Sequence, residues 1–151
     1  MPIPQSLERL HSIRAAEEQQ QRTQMNAALA ELHRLQSALG KTRERLRQAR
    51  SLVATSVCSG KHEDRIAGIE EAAIADRLAK LLAGKIKTAE QHFIQVRAQF
   101  LAKRVERRQV ETLLDAAREQ SAIEGNRKAQ SALDEWFRSR PTPKGDKGRR
   151  G

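Results

Sequence analysis

Tyrosine is absent from this 151-residue chain, tryptophan occurs once and phenylalanine three times, so aromatic side chains make up only 3% of it. That scarcity argues against a conventional globular core, which takes much of its buried area from aromatics. The shortage of Tyr, Val and Thr argues against a sheet protein as well. One cysteine, Cys58, cannot form an internal disulfide, which excludes a stapled secreted scaffold and agrees with a reducing compartment. No apolar run approaches the roughly 18 residues that span a bilayer. The first residues also lack the apolar stretch of a secretory signal, so the expected location is cytoplasmic, with no membrane insertion. Proline is missing from everything but the ends: Pro2, Pro4, Pro141 and Pro143 are the only four. Because proline costs about 3 kcal/mol inside a helix, the stretch between Pro4 and Pro141 is free to be helical throughout.

What is present is 38% apolar and 32% charged, with a net charge of +10. So few apolar residues must be used along a narrow seam, and a coiled coil meets that demand. Low hydropathy and high charge would also suit disorder, but the periodicity decides against it. Met25, Leu32, Leu39, Leu46 and Val53 recur every seventh residue in one column, and Ala28, Leu35, Thr42 and Ala49 form the other. Upstream, Leu7, Leu10 and Ile13 resume an apolar stripe beyond the polar run Glu17 to Gln24, which should be helical yet loosely packed.

The pattern stops at Ser56-Val57-Cys58-Ser59-Gly60, where Gly60 can take the left-handed geometry that ends a helix. Glu63 and Asp64 then suit a first turn, where the helix dipole favours negative charge. In the second half Leu82, Ala89, Val96, Val110 and Ala117 make one column and Ile86, Phe93, Phe100 and Leu114 the other, opened by Ile66 and Ile69 and interrupted by Lys103 and Arg107. Folding the chain at residue 59 sets Phe93 against Met25 and Ile86 against Leu32, and carries Lys103 and Arg107 to the polar part of helix one. The expected fold is all-α, one domain over residues 1–140. Two long helices, 5–57 and 61–139, pack as an antiparallel coiled-coil hairpin about a turn at 57–61, and a disordered basic tail, 141–151, follows. At 1.5 Å per residue the helices measure about 80 Å and about 120 Å. The longer one overhangs, carrying Ile123, Ala129, Leu133, Trp136 and Phe137 without an internal partner. Such a two-helix seam is marginally stable alone, and a binding partner would stabilise it by mass action.

The sequence offers little catalytic chemistry. Gly40-Lys41-Thr42 ends like a phosphate-binding loop, but the required glycine five residues earlier is Leu35, and Leu39 and Thr42 are seam positions of a helix. His11, His33, His62 and His92 are scattered, so no metal site is expected. The adjacent pairs Glu17-Glu18 and Glu70-Glu71 point to different sides of a helix. No enzyme, cofactor or catalytic residue is therefore expected. Basic residues are more informative: Lys41, Arg43, Arg45, Arg47 and Arg50 in the first half, and Arg97, Lys103, Arg104, Arg107 and Arg108 in the second. They could meet nucleic acid or an acidic protein surface. The shortage of aromatics removes the stacking expected of a single-strand binder, which leaves protein as the favoured partner.

The basic composition, the small-residue turn and a longer second helix carrying Arg107-Arg108-Gln109-Val110-Glu111-Thr112-Leu113-Leu114 and Asn126-Arg127-Lys128-Ala129-Gln130-Ser131-Ala132-Leu133-Asp134-Glu135-Trp136-Phe137 together resemble the type III secretion stalk proteins of the YscO, HrpO and FliJ kind. The resemblance implies an antiparallel coiled coil, similar to the two long helices of the rotary ATP synthase gamma subunit, that inserts into a hexameric secretion ATPase. It further implies promotion of ATPase assembly or activity, a link to the export gate protein, and in some members binding of export chaperones. On this chain it makes Arg104, Arg107 and Arg108 candidate ATPase contacts, and Leu133, Trp136 and Phe137 a second candidate docking surface. Asp134-Glu135-Trp136-Phe137 leans toward the injectisome, a virulence machine, rather than the flagellar one. Two other readings stay open: a nucleic-acid-associated coiled coil using the basic tail, and a purely structural oligomer.

Overall fold

The structure, a computed structural model, describes residues 3–141. Among these residues it is all-helical with no strand: α1 is Gln5–Ser59 and α2, the longer, is His62–Ser139. The first helix thus runs two residues past the expected 57, and the second begins at His62. The expected basic tail lies outside the described residues except for Pro141.

Local chemistry sets the boundaries. The Pro4 carbonyl accepts from the backbone N–H of Leu7 at 3.0 Å and of Glu8 at 3.3 Å, starting α1 where a missing proline N–H does no harm. Gly60 takes a left-handed φ of 73° and donates its N–H to the Ser56 carbonyl at 2.9 Å, the hydrogen bond of a helix that ends in a left-handed residue. Arg65 N–H then donates to the Lys61 carbonyl at 3.2 Å, with Glu63 and Asp64 in the first turn of α2 facing the positive end of the helix dipole.

The chain divides into two compact units, Arg14–Glu106 and the pair of segments Met1–Ile13 and Arg107–Gly151. In the unit Arg14–Glu106, Ala28, Leu32, Leu35 and Ala49 of α1 and Ala75, Leu82, Val96 and Phe100 of α2 are buried. The column Ala28, Leu35, Thr42, Ala49 is buried throughout and extends to Ser56, whereas Met25, Leu39, Leu46 and Val53 are only half-buried. Both polar members of the buried column are satisfied by their own helix. Thr42 Oγ1 donates to the Ala38 carbonyl at 2.8 Å and Ser56 Oγ to the Val53 carbonyl at 2.7 Å.

Contacts between the helices in this unit run in opposite order along the chain. Arg45 Nε donates to Glu71 Oε1 at 2.9 Å, the Arg22 guanidinium lies 5.5 Å from the Phe100 ring centre, and Lys103 reaches Glu17. Near the break, however, Ile66 and Ile69 do not open the seam as expected: both are exposed, and Gly68 and Ala75 are the buried positions. A Cβ on Gly68 would lie 2.8 Å from Val53 Cγ2 and 3.1 Å from the Ala49 carbonyl oxygen. Helices this close admit only the smallest residue at the contact, which turns the neighbouring isoleucines outward.

In the other unit, Val110 and Leu114 are buried and Leu7 and His11 are half-buried, while Leu10 and Ile13 are exposed. The expected stripe Leu7, Leu10, Ile13 fails because each three-residue step lags the helical turn by about 60°, so Ile13 drifts about 120° from Leu7. A four-residue step keeps His11 beneath Leu7 instead.

Candidate functional site

Four charges that sequence reasoning did not group meet across the helices of the unit Arg14–Glu106. Arg14 Nη1 donates to Glu17 Oε2 at 3.1 Å and to Glu106 Oε2 at 3.2 Å, and Lys103 Nζ lies 3.4 Å from each of the same two oxygens. Two cations thus share two carboxylates in a closed ring whose side chains are about two-thirds buried or slightly less. The Arg14 hydrogen bond is the chief reason the Glu17 carboxyl is held below the usual carboxylate range. Desolvation opposes that shift and Lys103 assists it. The one sequence signal was Lys103 interrupting an apolar column. Its facing partner Glu17 was not named because the facing register was off by a couple of residues, whereas Glu106 lies three residues on in the same helix. Nearby, Glu18 is the one buried residue of the polar run Glu17 to Gln24, whose other members are exposed or half-buried.

The sequence-predicted basic residues Arg104, Arg107 and Arg108 all lie on α2, at three- and four-residue spacing. Arg104 belongs to the unit Arg14–Glu106 and is half-exposed, without an ion pair among the described residues. Arg107 and Arg108 belong to the other unit. There Arg107 donates to Glu111 Oε2 at 2.7 Å and is half-buried, while Arg108 is exposed. Of the three, Arg104 and Arg108 are the ones with guanidinium groups available to an incoming anion.

Leu133, Trp136 and Phe137 do come together. Spacings of three and four residues put Leu133 on the same face as the two rings, which meet edge to face at 5.1 Å. The Arg140 guanidinium lies 5.4 Å from the Trp136 ring centre, and Ser139 Oγ donates to the Trp136 carbonyl at 3.1 Å. Trp136 is 56% exposed and Phe137 59%, and every residue from 125 to 141 is exposed. An aromatic pair that presents this much surface to water is a surface suited to a partner.

Gly40-Lys41-Thr42 is helical, with the Thr42 hydroxyl engaged by Ala38, so its amides cannot cradle phosphate. Among the described residues no group of three or more His, Cys, Asp or Glu is placed to hold a metal ion. An open groove of about 700 Å³ is lined by Ala28, Leu35, Leu81 and Ala89 among others. No described helix is long and apolar enough to cross a membrane. No protein-family model matches the chain, and neither the curated proteins nor the solved structures yield a match.

Proposed function

We propose that this chain is a stalk component of a type III secretion machine. In this reading α1 and α2 form an antiparallel coiled-coil hairpin that binds the hexameric secretion ATPase at the cytoplasmic face of the apparatus. It promotes ATPase assembly or activity, couples the ATPase to the export gate, and offers export chaperones a further surface. The observation that carries the reading is the end of α2, where Leu133, Trp136 and Phe137 form an exposed apolar cluster on a stretch, 125–141, in which every residue is exposed. Apolar surface of this kind is retained where another molecule covers it. The net charge of +10 and the available Arg108 support contact with an acidic pore lining. Charged, shallow contacts also suit a stalk that must meet successive subunits in turn, since deep docking would hold it against one of them.

The test is to add the purified full chain to its secretion ATPase and follow turnover and the hexamer fraction. Both should rise. Reversing charge at Arg104, Arg107 and Arg108 should weaken the effect, and replacing Trp136 and Phe137 by serine should reduce binding by at least about tenfold, the scale of a lost hot spot. ATPase turnover and assembly that stay unchanged beside a fully helical chain would exclude this function.

A further inference from the structure

A second apolar stripe runs along α2 on the side away from α1. In the unit Arg14–Glu106, Ile94 is 64% exposed, Leu101 43% and Val105 55%, and Ala98 and Ala102 are exposed with them. Ile94, Ala98, Leu101 and Val105 follow one another at steps of four, three and four residues, the heptad spacing of a coiled-coil face. The face is separate from the seam. Ala98 is two residues from each of the buried Val96 and Phe100, which at 3.6 residues per turn places it about 160° around the helix from both. Polar residues would ordinarily occupy such a face on a helix that packs on one side only.

The charges beside the stripe select what can cover it. Arg97 and Arg104 lie seven residues apart on one flank, and Lys87 stands one heptad before Ile94; none of the three has an ion pair among the described residues. Glu90 is on the Arg97 flank, one heptad upstream. On the opposite flank the Glu106 carboxylate is already held by Arg14 and Lys103. A second copy of this chain would bring the same cationic flank and the same +10 charge to the contact, and the basic residues beyond Pro141 have the wrong sign. We infer that the outward stripe Ile94–Ala98–Leu101–Val105 is a docking face for an acidic amphipathic helix of another protein. That helix's apolar side chains would seat beside Ala98 and Ala102, and its carboxylates would pair with Arg97 and Arg104. The inference does not rest on the secretion reading: it uses neither the end of α2 nor an ATPase, and Arg104 is the one residue the two share.

The experiment uses the full chain and two labelled synthetic helical peptides of about three heptads, with identical leucine faces and either glutamate or lysine flanks. Fluorescence anisotropy should show the glutamate peptide binding at least about tenfold more tightly than the lysine one. Leu101→Gln and Val105→Gln should each weaken it by about tenfold, and Arg97→Glu should reverse the preference. These positions are exposed, and circular dichroism of each variant checks that the helices persist. Equal binding of both peptides, no binding of either, or acidic binding that ignores Leu101→Gln and Val105→Gln would overturn the proposal, the last by revealing adsorption through net charge alone. It would also fall if sedimentation showed the chain self-associating and Leu101→Gln dispersing it, which would assign the stripe to a second copy.

Discussion

Glycines at positions 40 and 68 are both helical, yet their surroundings give substitution opposite signs. A Cβ on Gly40 meets nothing within 4 Å, whereas one on Gly68 would press on Val53 Cγ2 and the Ala49 carbonyl oxygen. Gly40→Ala should therefore stabilise the protein by about 0.5–1 kcal/mol through helix propensity and reduced freedom of the unfolded chain. Gly68→Ala gains the same propensity term but must separate two packed backbones, and should be destabilising by about 1–3 kcal/mol. Urea unfolding midpoints of the two variants check this, and a stabilised Gly68→Ala would show that the close approach is relaxed in solution. Nothing in the sequence distinguishes these glycines, because the difference lies in what faces them from the other helix.

Between the helices, the pairing of Arg14 and Glu17 with Lys103 and Glu106 makes a pH dependence legible. Glu17 has its pKa lowered in the folded protein, chiefly by the hydrogen bond from Arg14. A carboxyl depressed in this way contributes stability that is present above its unfolded pKa of about 4.3 and is lost as the pH falls through the folded value. The stability difference between the natural protein and Glu17→Gln should accordingly be largest near neutrality and vanish in acid. Urea titrations across pH test this, and a difference that is the same at neutral and acid pH would exclude it. Glu31 is also lowered, first by its hydrogen bond from Arg34, but that pair lies within α1 and is exposed, so it should add little to the joining of helices. From sequence, Lys103 read as a defect in an apolar column; of the carboxylates that compensate it, Glu106 is local to α2, but the cross-helix Glu17 depends on a register that heptads alone leave open by a residue or two.

Across the molecule, burial is uneven, and protection of the backbone should follow it. Amides around 28–49 and 75–100, where the buried columns lie, should exchange slowest with solvent, and those of 125–139, where every side chain is exposed, fastest. Hydrogen exchange with residue resolution checks the order, and uniform protection along α2 would contradict it. A docked partner at Leu133, Trp136 and Phe137 should slow the last group selectively, since binding stabilises only what it covers.

Much of this was set by the chain alone. Helical spacing, the lack of internal proline, and Gly60 determined that there are two helices and where they part, because these are local preferences acting within a few residues. The Leu133, Trp136 and Phe137 grouping was equally local, a matter of three- and four-residue steps on one helix. What only the tertiary structure decided is which of several apolar stripes turns inward. Periodicity defines a stripe but not the direction it faces, and α2 carries more than one. The close contact at Gly68 turned Ile66 and Ile69 outward, and the inward columns left Ile94, Leu101 and Val105 on the far side. Those choices depend on how near two backbones can come, and that distance belongs to the pair of helices rather than to either sequence segment.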